Sequence, residues 1–160
     1  MTFTELVRAL VEDAFWSGIA AMGFAMLFNV PQRVLIACVA AGAVGHAVRT
    51  LMMEYFGMTI APATLAGATA VGFMGYFFAH YYEVPSAVFT VSGAIPMVPG
   101  VFAYRTMIYA IRITSADTAI AQQALLDASV NGIQTALILA GIAVGIAAPS
   151  LLFERHKPVV

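Results

Sequence analysis

The sequence predicts an all-α fold: a polytopic membrane bundle of about five transmembrane helices, the fourth broken at a P-x-x-P-G segment. Three observations predict it. Hydrophobic residues make up 62% of the chain and charged residues 9%, against about 25% charged in a soluble domain. The 160 residues accommodate about five spans of roughly 20 residues joined by tight loops. One apolar run is interrupted by Ala94-Ile95-Pro96-Met97-Val98-Pro99-Gly100, where two prolines remove backbone donors and a glycine relaxes the backbone. A single transmembrane domain over 1–160 follows, with no separate soluble domain.

Span one is expected from about Ala14 to Val30. Asp13 is read as its N-terminal cap, Trp16 as an anchor near one end, and Asn29-Val30-Pro31 as the closing turn. Glu5, Glu12 and Asp13 interrupt the first residues, so no cleavable leader is expected. Span two runs from about Val34 to Tyr55, and span three from about Ile60 to Tyr82, ending in the aromatic belt Tyr76–Tyr82. Span four, about Ser86 to Ile113, is the broken one. Thr114–Asp117 reads as a cap, followed by a polar helix with Gln122, Gln123 and Asp127. Span five runs from about Val130 to Phe153, and Glu154–Pro158 is a polar tail. Ala41 and Gly45, Ala68 and Gly72, and Gly141 and Gly145 are spaced for close helix packing. Five spans place the ends on opposite sides, and the basic pair Arg155 and Lys157 favours a cytoplasmic C-terminus.

The interruption carries the functional signal. Pro96 lies ten residues past Ser86, about 15 Å at the helical rise and so near the middle of a hydrocarbon core of about 30 Å. Broken backbone survives at that depth only against protein or a water-filled cavity, and transporters place substrate there. The helix restarting at Gly100 offers unpaired N–H groups to an anion. Arg105 follows one and a half turns later. Pro96, Pro99, Gly100, Arg105 and Arg49 are therefore the candidate substrate-binding residues, for a small carboxylate. The competing reading is a proline kink relieved by neighbouring helices.

His46 and Arg49 share one face of span two, with Gly42 and Met53 nearly on the same stripe. Ionisable groups inside a span are expensive and mark function by default, and histidine titrates near neutral pH. Asp127, Asn131 and Gln134 form a second stripe, bordered by Thr135. His46, Asp127, Asn131 and Gln134 are the candidates for proton coupling or gating. Against this stand a snorkelling Arg49, a structural hydrogen bond at His46, and interhelical glue at Asn131 and Gln134.

Other classes find little support. A net charge of −1 gives no pull on nucleic acid. Cys38, the single cysteine, allows no intrachain disulfide and reads as a small buried hydrophobe. His46, His80 and His156 are far apart, with no metal-ligand spacing, no G-x-S-x-G and no P-loop. Neither a metal nor another cofactor is expected. An enzyme acting on lipid would need a convergent set that His46, Arg49, Asp127 and scattered hydroxyls do not supply.

Phe24-Ala25-Met26-Leu27-Phe28-Asn29-Val30-Pro31, then Gly45-His46-Ala47-Val48-Arg49, then Val88–Val91 leading into Ile95-Pro96-Met97-Val98-Pro99-Gly100 resemble the threonine/serine exporter family. More narrowly, nearly the whole chain is similar to the small subunit of split exporters, equivalent to the C-terminal half of single-chain members. The resemblance implies a multi-pass protein of the bacterial inner membrane. It implies export of small carboxylate metabolites, succinate in split relatives and threonine or serine in single-chain ones, drawing on the proton gradient. It also implies a larger polytopic membrane subunit as partner, besides the surrounding lipid. It carries over no catalytic residues. A non-transporting scaffold that uses the small-residue faces remains the alternative of another class.

Overall fold

The computed structural model describes residues 2–115 and 117–153. It is all-α, with no strand among the described residues. In chain order the elements are α1 (Phe3–Leu27), a 3-10 turn (Gln32–Val34), α2 (Leu35–Glu54), α3 (Ile60–Tyr82), α4 (Ala87–Ala94), a second 3-10 turn (Ile95–Met97), α5 (Gly100–Ser115) and α6 (Thr118–Phe153). Phe3–Leu27, Gln32–Glu54, Ile60–Tyr82 and Thr118–Phe153 are each long and apolar enough to cross a membrane, and Ala87–Met97 with Gly100–Ser115 makes a fifth if counted as one broken span. This is a multi-pass membrane protein.

Local chemistry sets the ends. Thr2 Oγ1 accepts the Glu5 N–H at 3.3 Å while the Glu5 carboxylate accepts the Thr2 N–H at 2.7 Å. That reciprocal capping box starts α1 eleven residues before the expected cap. Asp13 is therefore no cap but an interior residue of α1, and Trp16 stands mid-helix rather than at an end. Asn29 takes a left-handed backbone (φ 59°) and closes α1 before Pro31, as expected. Glu83 (φ 54°) does the same after α3. The expected polar helix and span five are one continuous helix of 36 residues. Nothing between Thr118 and Val130 is a glycine or proline, and Asn131 Nδ2 donates to the Asp127 carbonyl at 2.7 Å rather than opening the backbone. The tail from Glu154 onward, including Arg155 and Lys157, and Ala116 of the expected cap lie outside the described residues.

The chain divides into two units, one within Met1–Met97 and Gly141–Val160, the other Val98–Ala140. In the larger, α2 packs on α1, α3 and α4, and small residues set the spacing. A Cβ on Gly67 would fall 2.5 Å from the Gly45 carbonyl oxygen, and one on Gly72 would fall 2.8 Å from the Gly145 carbonyl oxygen. Gly42 faces Ala21 and the Ser17 carbonyl of α1, and Gly93 of α4 rests on Ala41. The expected packing stripes at Ala41/Gly45, Ala68/Gly72 and Gly141/Gly145 are thus real contacts. An aromatic group closes one end: Phe89 is fully buried against Phe78 (centroids 5.5 Å apart) and Tyr82 (6.0 Å). Cys38 is buried and unpaired beside it, its thiol 3.5 Å from the Val88 carbonyl.

The smaller unit exposes apolar side chains along α5. α5 buries no residue, and Val101, Tyr104, Met107 and Ile111 all face outward. Thr106 approaches α6 at Gly132, where an added Cβ would meet its methyl at 3.5 Å. Such faces are covered by lipid or protein in a membrane.

Glycine replacement separates packed from open positions. Gly67→Ala forces backbone apart and is expected to destabilise by about 1–3 kcal/mol. Gly23→Ala, with nothing within 4 Å, is expected to hold or gain up to about 1 kcal/mol from helix propensity. Thermal unfolding of the two variants in one detergent checks the contrast.

Candidate functional site

The polar centre of the larger unit lies on the α1–α2 seam. α1 and α2 run antiparallel, so Asp13 meets the face of α2 carrying His46, Arg49 and Thr50. His46 Nδ1 lies 3.2 Å from both Asp13 oxygens. Thr50 Oγ1 donates to Asp13 Oδ2 at 2.5 Å. Arg49 Nη2 lies 3.1 Å from the same His46 Nδ1. The His46 side chain is 7% exposed and that of Asp13 30%. Buried imidazole is thus joined to a carboxylate that solvent still touches.

Among the described residues, two nitrogens of this group have no protein partner. His46 Nε2 and Arg49 Nε are both buried without a hydrogen bond. Arg49 also lacks a carboxylate partner: among the described residues the ion pairs are Arg8–Glu12 and Asp13–His46. An unpaired guanidinium donor inside a bundle is costly, and its natural acceptor is a carboxylate.

The helix break sits beside this group. Met97 is 1% exposed, and its thioether reaches Gly45, the residue before His46, and Gly67, which also faces Arg49 Cβ. Gly45 is near the middle of α2, so the 3-10 turn holding Pro96 lies level with that middle. Beyond Met97 the helical bonding is interrupted. The Gly100 N–H turns back to the Val98 carbonyl at 2.8 Å, and the Ala103 N–H donates to the Pro99 carbonyl at 3.0 Å to start α5. Gly100 is exposed, with no neighbouring group within 4 Å of its Cβ position. Arg105 is exposed on α5.

The second polar stripe bonds along its own helix. Asn131 holds the Asp127 carbonyl, Thr135 Oγ1 holds the Asn131 carbonyl at 2.8 Å, and Gln123 Nε2 reaches Asp127 Oδ1 at 3.3 Å. Gln134 is half-buried. So His46 and Arg49 come together as their spacing predicts, whereas Asp13 and Thr50 were missed. The signal for Asp13 was its position: an acid nearly three turns inside an apolar helix that already has a better cap.

A family model described as "Threonine/Serine exporter, ThrE" matches residues 13–152. The chain belongs to the threonine/serine exporter family. An "uncharacterized protein" of Haemophilus influenzae is 40% identical over 158 residues, which are 98% of this chain and 52% of that protein. The chain thus spans about half the length of the curated relative it matches. No solved structure matches. The match to this exporter family takes in Asp13, His46, Arg49 and Thr50 and the helix break.

Two substitutions distinguish the polar groups. Thr50→Val keeps the shape of the side chain but removes a hydrogen bond to a carboxylate, an expected loss of about 1.5–3 kcal/mol. Asp127→Ala leaves the backbone carbonyl that Asn131 uses and is expected to stay within about 0.5 kcal/mol. Chemical unfolding in detergent measures both.

Proposed function

We propose that this chain is half of a secondary exporter in the bacterial inner membrane, moving small carboxylate metabolites out of the cell with a larger polytopic membrane subunit. Succinate or another dicarboxylate is the substrate of first choice. Membership of an exporter family supports transport, and the length relation to the Haemophilus protein supports a second half supplied elsewhere. The observation that carries the reading is the Asp13–His46–Arg49 group, its imidazole buried and its carboxylate partly exposed. A protonatable ring and an unpaired guanidinium inside a bundle are expensive and suit proton and anion handling.

In this reading Arg49 receives a carboxylate. The start of α5, with Pro99 buried just before it, Gly100 exposed and Arg105 on the same helix, is a second place of positive potential. Pro96 keeps the helix from closing over the break. His46 carries the coupling proton, and Asp127, Asn131 and Gln134 serve gating on α6. The family description favours threonine or serine as the alternative cargo; both carry the same carboxylate.

Cells lacking this chain, its partner, or both are expected to lose succinate efflux, with threonine measured in parallel. Unchanged efflux in every strain overturns transport. Replacing Pro96 and Pro99 together by alanine is expected to abolish flux while the protein still inserts; a scaffold would keep its function.

Substitution at the charges reads the roles directly. Arg49→Lys turns a fork into a point charge and is expected to cut flux about tenfold, or ~1.4 kcal/mol. Equal flux removes Arg49 from the site, and the same comparison applies to Arg105. His46→Gln is expected to flatten the pH dependence of flux in inverted vesicles.

A further inference from the structure

His46 Nδ1 faces two partners with opposite demands. The Asp13 carboxylate only accepts hydrogen bonds when ionised, and the Arg49 guanidinium only donates. One ring nitrogen has either an N–H or a lone pair. Yet both Asp13 oxygens lie at 3.2 Å and Arg49 Nη2 at 3.1 Å from that atom. A single protonation state cannot satisfy all of these contacts.

We propose that His46 Nδ1 is a proton-operated exchange point: protonated, it is held by Asp13; deprotonated, it is held by Arg49. The proposal rests on the exporter reading for its purpose, but its chemistry stands apart from transport. The step is a proton transfer alone. A proton from hydronium bonds to the Nδ1 lone pair, releasing water; the Arg49 N–H···N hydrogen bond breaks, and the new N–H donates to the carboxylate. Thr50 keeps its hydrogen bond to Asp13 in both states. Protonation frees Arg49 Nη2 in addition to Nε, which already has no partner. Nε2 of His46 remains a donor throughout and meets no acceptor among the described residues.

The surroundings leave the exchange to these three groups. On α1 the neighbouring Glu12 pairs with Arg8 at 2.7 Å on the exposed side. α3 presents Gly67 to the Arg49 Cβ, and its ionisable residues, Tyr76, His80, Tyr81 and Tyr82, begin about 13 Å further along the helix. α4 and the turn after it contain no ionisable side chain. Solvent reaches the seam at its end and at Asp13. An open cleft of about 310 Å³ lined by Thr2, Phe3, Leu6, Glu54 and Tyr55 opens at the end of the same seam. Leu6 is about 10 Å from Asp13 along α1, and the carboxylate itself is partly exposed.

The test is nitrogen NMR of the full chain labelled with ¹⁵N-histidine in lipid bilayers, the His46 signals being those lost in His46→Gln. In the unsubstituted protein, neutral His46 is expected to carry its proton on Nε2 with Nδ1 bare, and acid is expected to protonate Nδ1. Asp13→Asn is expected to weaken proton affinity about tenfold and Arg49→Gln to strengthen it about tenfold, as for one charge added or removed at this range. A neutral ring that keeps its proton on Nδ1 overturns the proposal whether or not the variants fold. So does a titration that fails to move in opposite directions in the two variants. The measurement needs no transport, so an intact exchange with no efflux would sink the exporter reading alone.

Discussion

Gly42, Gly45, Gly67 and Gly93 bring α1, α2, α3 and α4 within reach of one another's backbones, at separations where even a methyl group on Gly67 would strike a carbonyl oxygen. Lipid tails gain nothing by leaving one apolar surface for another, so helices in a bilayer associate through close packing and hydrogen bonds. Here the two are linked. Close approach of α1 and α2 shuts lipid out of their seam, and the polar groups inside must then satisfy each other. Asp13, Thr50 and His46 do so. Arg49 does so at one nitrogen and is left short at another.

That packing also ties the interrupted helix to the polar group. Met97 ends the second 3-10 turn and reaches Gly45 and Gly67, and Gly67 faces Arg49 Cβ as well. Any movement of the turn holding Pro96 is felt one residue from His46. Methionine suits this position because its thioether adapts to irregular gaps. The break and the ionisable group therefore form one mechanical neighbourhood, although their residues are some fifty positions apart in the chain.

Much of this was legible in the sequence. The helix count, the interruption after Ala94 and the three small-residue stripes follow from composition and local spacing. His46 and Arg49 share a face because three residues is nearly one helical turn. Asp13 was misread for a physical reason: an acid before an apolar run is also what a helix start looks like. Thr2 and Glu5 held the stronger cap, which turned Asp13 into an interior residue. Its pairing with His46 spans 33 positions, and no local pattern encodes the register of two helices. On α6 the polar residues suggested a separate element, but polarity does not end a helix where no breaker is present.

The unbroken run of α6 has a consequence of its own. Its 36 residues extend about 54 Å, well beyond a hydrocarbon slab of about 30 Å. Its polar residues Gln122, Gln123 and Asp127 cluster in the first third of the helix. A helix of that length either tilts steeply or carries more than a turn beyond the hydrocarbon, where polar side chains meet water.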